Sequence, residues 1–201
     1  MRLGIFGGTF DPIHFGHLLL AEQCLEQCRL DQIRFIPAGV PPHKMRQAII
    51  PGKARVEMVE LALAGHDRFQ VDRRELDRCD PCYTVETLAE LHAEDPSREL
   101  YFLLGADSLY EFLSWREPQR IVQLARLAVV NRGGAPPPDV EPLRRIVGDT
   151  LESRLQLVTI PGVAISSSDI RGRVREGKSI RYLTPRAVEC YIQTHGLYRA
   201  E

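Results

Sequence analysis

Charge of one sign is what this 201-residue chain lacks first: 26 lysines and arginines stand against 27 aspartates and glutamates, leaving a net charge of −1 at pH 7. That balance excludes the basic footprint needed to grip a phosphate backbone, so nucleic acid is not an expected partner. Long apolar runs are missing too. No stretch approaches the roughly 18 residues of a membrane span, and Met1–Phe10 lacks the charged start and long apolar stretch of a secretory signal; a cytoplasmic protein with no membrane partner is expected. Repeats and low-complexity tracts are absent, and no exposed stripe singles out an oligomer interface. With 44% apolar residues, the chain buries a full core as one domain over residues 1–201, with a small helical portion from residue 165 onward packed on it.

Cysteines are few and odd in number, five in all, which suits reduced thiols. Cys24 and Cys28 lie four apart among Leu18, Leu19, Ala21 and Leu25, so both face a core along one helix; Cys190, in AVECYI, reads as another core thiol. Cys79 and Cys82 form a CxxC. Four thiolates would suit zinc, but a CxxxC inside a helix is poor ligand geometry and Asp80-Pro81 reads as a turn. No protein ligand for a metal is assigned.

What is present is alternation. Apolar runs of strand length occur at Leu3–Phe6, Ile33–Pro37, Phe69–Asp72, Leu100–Leu104, Leu127–Asn131 and Leu155–Ile160. Helix-length amphipathic stretches lie between most of them: 18–30, 54–64, 85–94 and a mixed stretch over 107–124. Nearly continuous apolar strands separated by crossover helices predict a doubly wound α/β fold, a parallel sheet covered on both faces. Arg132–Pro142, rich in proline and glycine, reads as a surface loop. Near the C-terminus, Thr184 reads as a helix N-cap, Pro185 as the first helical residue and Gly196 as the left-handed stop.

The segment GIFGGTFDPIHFGH, Gly4–His17, departs from this purely structural pattern. Ligands bind an open parallel sheet beyond the carboxyl ends of its strands, where Gly7 and Gly8 sit. Glycines there let backbone amides approach an anion, and a helix starting near Phe15 directs its unpaired N–H groups to the same place. The loop is neither a Walker A sequence nor a GxGxxG dinucleotide fingerprint. His14 and His17, spaced i and i+3, project on one face towards that anion. Helix capping explains a lone histidine and zinc would need a third ligand, whereas a pair beside two glycines and Thr9 reads as functional. Asp11, before Pro12, reads as a turn residue. Near the other end, ISSSDIR (Ile165–Arg171) offers N-caps, exposed amides at a helix start and a planar cation suited to phosphate oxygens.

GGTFDPIHFGH resembles the Gly-Gly-Thr-Phe-Asp-Pro loop and HxGH of the nucleotidylyltransferase superfamily, and ISSSDIR resembles its ISSTxIR, with Ser168 in place of threonine. IPAGVPPHK, RVEMVELAL, YTVETL, LLGADSL, Trp115 and the closing HGLY are similar, in order, to the bacterial nicotinate mononucleotide adenylyltransferases. Phosphopantetheine adenylyltransferase and glycerol-phosphate cytidylyltransferase share the HxGH but lack the PPHK and YTxxTL segments. A catalytically silent nucleotide-binding module would show a broken HxGH or a missing Arg171, and both are intact.

The resemblance implies a Rossmann-like nucleotidylyltransferase fold and attack of nicotinate mononucleotide on the α-phosphorus of ATP, giving deamido-NAD and pyrophosphate. It implies ATP contacts at Gly7, Gly8, Thr9, Phe10, Gly105, Asp107, Ile165, Ser166, Ser167 and Arg171. His14, His17, Lys44 and Arg171 would stabilise the transferring phosphates. His43, Lys44, Tyr83, Thr84, Trp115 and Arg132 would hold the pyridine nucleotide. Magnesium is expected with the triphosphate, bound mainly through phosphates and water. Trp115 also suits a core position and Thr84 a helix cap; Cys82 stands where relatives often carry serine.

Overall fold

The computed structural model describes residues 1–39, 49–78, 81–133 and 136–199. Six strands form one sheet: β1 (Arg2–Gly8), β2 (Gln32–Pro37), β3 (Phe69–Val71), β4 (Glu99–Gly105), β5 (Arg126–Arg132) and β6 (Leu155–Ile160). Their order is β3-β2-β1-β4-β5-β6, and every neighbouring pair is parallel. The expected doubly wound sheet is therefore present. Strand order reverses between β1 and β4, which opens a crevice beyond Gly8 and Gly105.

Period-two alternation divides the core. Leu3 and Ile5 of β1, Leu100, Phe102 and Leu104 of β4, and Leu127 and Val129 of β5 face one side. There they meet α3 (Thr84–Glu94), α4 (Ala106–Phe112) and α5 (Pro118–Leu124), with α6 (Glu141–Val147) and α7 (Leu151–Arg154) completing the layer. Phe6, Ile33, Phe35, Tyr101, Leu103, Ala128 and Val130 face the other side. These pack on α1 (Phe15–Gln27), α2 (Gly52–Leu63), Ile170 of α8 (Ser167–Arg175) and α9 (Arg186–Thr194). Both faces of each central strand are thus dry, which is why the strands read as unbroken apolar runs. Cys24 and Cys28 are buried as expected, whereas Cys190 is only half-buried.

Three local expectations are corrected. The stretch 107–124 is two helices: Pro118 disfavours the α region for the residue before it, and Glu117 takes a left-handed φ of 52°. The break leaves Trp115 in a connecting loop. Glu141–Arg154 is mostly helical, with a 3-10 turn at Gly148–Thr150, and Pro142 lies in the first turn of α6 rather than closing a loop. Thr184 is not a helix cap; Pro185 holds that position and the Thr184 hydroxyl bonds elsewhere. Gly196 has the expected left-handed φ, 61°.

The central strand tolerates no added bulk at Gly4. A Cβ there would lie 2.8 Å from side-chain atoms of both Ile33 and Leu30. Overpacking outweighs the roughly 0.4–1 kcal/mol gained by restricting the unfolded chain, so Gly4→Ala is expected to lower unfolding free energy by about 1–2 kcal/mol. The readout is a lower urea midpoint with an unchanged m-value; an unmoved midpoint would show that those neighbours yield freely.

Candidate active site

Between β1 and α1 the chain makes a buried loop whose carbonyls are taken up by remote segments. Thr9 O accepts from Arg55 Nη1 of α2 at 2.8 Å, and Asp11 O from Arg171 Nη1 of α8 at 2.7 Å. Pro12 O accepts from Ser167 Oγ at 2.9 Å, and Ile13 O from Thr184 Oγ1 at 2.7 Å. The Phe15 N–H donates to Leu183 O at 3.1 Å. Asp11, only 4% exposed, accepts from the Tyr198 hydroxyl at 2.7 Å through Oδ1. Asp11 lies in the turn expected of it and is in addition a buried node of the loop.

Two groups in this brace are electrostatically unusual. Burial draws the Arg55 guanidinium below its ordinary range, opposed by the nearby Asp11 carboxylate. Burial, reinforced by the hydrogen bond to Asp11, pushes the Tyr198 phenol well above its ordinary range. Tyr198 therefore stays a donor at every physiological pH. Arg55 and Tyr198 carry no signal of this role in the sequence, since each acts on a residue far away in the chain.

His14 ends the loop as the N-cap of α1, with φ −150° and ψ 171°. Its N–H donates to His17 Nδ1 at 3.3 Å, so a neutral His17 carries its proton on Nε2. The rings stack, centroids 3.7 Å apart and planes 23° apart. Capping and function are therefore not alternatives here: the cap geometry is what brings the two imidazoles together. Gly16 between them carries no Cβ for a steric reason, because one would lie 3.0 Å from two atoms of the His14 ring. Phe10 supports the pair from behind. Its ring is buried, lies 5.1 Å edge-on to His17, and fills the space a Cβ at Gly8 would need. Phe10 lines neither of the two cavities next to this loop, and its ring is buried, leaving its backbone as the part able to meet a ligand.

A cavity of about 500 Å3 lies against the histidines. His14, Gly16 and His17 form one wall; Gly105 and Asn131 come from the ends of β4 and β5 and Asp107 from the first turn of α4; Ile165, Ser166 and Ser167 come from the start of α8. Ser166 is the expected N-cap, its Oγ accepting from the Asp169 N–H at 3.0 Å. The open amides of this first turn give the cavity a positive wall. Arg171 is placed differently from its neighbours. Instead of lining the cavity it braces the loop, with Nη2 also 3.3 Å from Ser168 Oγ.

A second cavity, about 440 Å3, is bounded by Gly7, Gly8, Tyr83, Thr84 and Trp115. Trp115 is half-buried, its ring 5.8 Å from Phe102 and 5.5 Å from Phe112. Thr84 is the first residue of α3 and Tyr83 is the cap, so the capping role considered for Thr84 does not apply. Cys82 is buried and its Sγ donates to Glu75 O at 3.2 Å. Glu75 and Arg116 also line this cavity and were not singled out by sequence reasoning. His43, Lys44 and Cys79 lie outside the described residues, as does the side chain of Arg132.

A family profile described as Cytidylyltransferase-like matches residues 5–173. The "Probable nicotinate-nucleotide adenylyltransferase" of Thermomicrobium roseum is 47% identical over 198 residues, covering 98% of this chain and 92% of its own. Its namesake in a strain of Thermus thermophilus is 47% identical over 201 residues, 99% and 100% of the two chains. Among solved structures, the Plasmodium falciparum nicotinic acid mononucleotide adenylyltransferase complexed with NaAD superimposes with a TM-score of 0.79. That match covers 98% of this chain and 97% of the other at 20% identity, a likeness of fold.

Removing the Tyr198 hydroxyl isolates one strut of the brace. Tyr198→Phe leaves a buried Asp11 oxygen without its donor, which costs about 1.5–3 kcal/mol when the acceptor is charged. Urea unfolding is expected to show that loss; a midpoint equal to the parent's would mean the C-terminal segment does not hold the loop.

Proposed function

The chain belongs to the cytidylyltransferase-like family and, within it, to the nicotinate-nucleotide adenylyltransferases, and from that premise we propose how its two cavities divide the reaction. The enzyme transfers the adenylyl group of ATP to nicotinate mononucleotide, releasing pyrophosphate and forming deamido-NAD in NAD biosynthesis. The 500 Å3 cavity takes ATP and the 440 Å3 cavity takes the pyridine ring. Gly8 borders the second, and the HxGH imidazoles border the first, so the attacked α-phosphorus belongs at the loop between them. The single observation that carries this reading is the stacked His14–His17 pair facing the first turn of α8 across one cavity.

Transfer of this kind needs positioning and charge stabilisation rather than a nucleophilic side chain. In this reading His17, oriented through Nδ1 by the His14 amide, presents Nε2–H to the α-phosphate oxygens. His14 adds the second donor, and the amides at Ser167 and Ser168 meet the β and γ phosphates, as a helix N-terminus favours. Arg171 has five donors in its fork. Those not spent on Asp11 and Ser168 remain to be offered to phosphate, so a residue that braces the loop beside the cavity would also reach the leaving group once nucleotide binds. Lys44, His43 and Arg132 complete the substrate contacts by resemblance. Tyr83, Thr84 and Trp115 hold the flat ring, an aromatic face and donors suiting an anionic heterocycle.

Magnesium belongs to the proposal. It takes oxygen ligands, and the Asp107 carboxylate and Asn131 amide supply oxygens at the ATP cavity. Bound there with the triphosphate, the ion would neutralise charge on the departing pyrophosphate. A cytoplasmic location fits ATP and a phosphorylated substrate; among the described residues no helix is long and apolar enough to cross a membrane. The near-zero net charge supports small-molecule partners rather than nucleic acid.

A pyrophosphate-release assay with ATP and nicotinate mononucleotide tests the assignment. His17→Ala is expected to lower kcat by roughly 100- to 1,000-fold, as loss of one transition-state donor does, with the folded state retained by circular dichroism. A kcat within a few-fold of the parent would remove His17 from the chemistry.

A further inference from the structure

Nicotinate and nicotinamide differ at one substituent of nearly equal shape, carboxylate against carboxamide. The walls of a 440 Å3 cavity cannot separate them by size, so discrimination must come from charge and hydrogen bonding. Among the described residues, Arg116 is the one cationic side chain lining that cavity and Glu75 the one carboxylate. Glu75 is turned to internal partners: it is buried, and its Oε1 accepts from Thr87 Oγ1 at 2.7 Å. Burial also raises its pKa, which weakens its repulsion of an incoming anion.

Arg116 is set differently. Its guanidinium carbon lies 4.6 Å over the Tyr83 ring, and Tyr83 is the N-cap of α3. That stacking seats the cation on the side chain of the residue that caps α3, at the wall of the cavity. Arg116 Nη1 meanwhile pairs with Glu86 Oε1 at 3.1 Å, with side chains 51% and 44% exposed. A pair so exposed contributes little in water, and a carboxylate delivered by a bound nucleotide can displace it.

We propose that Arg116 sets the preference for the acid over the amide, exchanging Glu86 for the pyridine carboxylate of the substrate while remaining stacked on Tyr83. The inference rests on the reading that this cavity takes the pyridine ring. Glu86 then acts as an internal competitor, occupying the guanidinium until substrate arrives. The amide, being neutral, gains less from the cation and pays the same loss of the Glu86 pair.

The experiment compares kcat/KM for nicotinate mononucleotide and nicotinamide mononucleotide in the parent enzyme, Arg116→Ala and Glu86→Gln. Arg116→Ala is expected to lower the acid-to-amide ratio roughly ten-fold, mainly through KM for the acid. Glu86→Gln is expected to raise the ratio a few-fold, because the competitor loses its charge. If the Arg116–Glu86 pair merely braced α3 against the loop carrying Trp115, both variants would slow both substrates together. A constant ratio in an active enzyme would therefore overturn the inference while leaving the function intact. Absence of turnover with nicotinate mononucleotide in the parent would instead remove the reading beneath it, and the inference with it.

Discussion

A buried backbone carbonyl must find a donor, and the loop between β1 and α1 has four that find theirs on distant side chains. Thr9, Asp11, Pro12 and Ile13 are bonded by Arg55, Arg171, Ser167 and Thr184. An orphaned carbonyl here would cost about 1–3 kcal/mol, so the loop has one arrangement in which all four are satisfied. In a trans peptide the N–H points away from its own C=O. Pulling the Thr9 carbonyl back towards α2 therefore turns the Phe10 amide the other way. The loop backbone is thus held from behind by side chains of distant segments.

The same constraint explains why two motifs so far apart in the chain belong together. Ser167 and Arg171 in α8 hold the Asp11–Pro12 carbonyls directly, and the close approach of Ile165 O to the place a Gly16 Cβ would occupy, 3.6 Å, shows how tightly the two ends meet. The residues after α8 extend the grip through Thr184 and Tyr198. The C-terminal portion is the buttress of the N-terminal loop, and the start of α8 is also one wall of the cavity beside His14 and His17. Under the proposed function, stability and catalysis would share residues, Arg171 among them.

The central strands were legible because they are buried on both faces and read as apolar runs, and the edge strands β3 and β6 because they are short apolar runs even though each is partly open to solvent; the helices beside them were legible from spacing. The break between α4 and α5 was not read, although Pro118 stood at it, because the apolar pattern resumes on the far side at Ile121 and Val122. Glu141–Arg154 was missed because its helices are short and Pro142, Gly148 and its arginines look like loop. At the site, HxGH and ISSSDIR were readable since each is a local spacing with a local physical meaning. The buried guanidinium of Arg55 was not. An arginine in the first turn of a helix ordinarily points to water, and only the fold brings Thr9 and Asp11 to it. Thr184 was misread for the same reason: proximity in sequence to a helix start concealed a partner, Ile13, on the other side of the chain.

The most direct measurement is a crystal structure with a non-hydrolysable ATP analogue. The account predicts the triphosphate lying between the stacked imidazoles of His14 and His17 and the first turn of α8, with Arg171 still bonded to the Asp11 carbonyl. A triphosphate bound in the cavity of Tyr83 and Trp115, or a loop released from Arg171 when nucleotide binds, would contradict it.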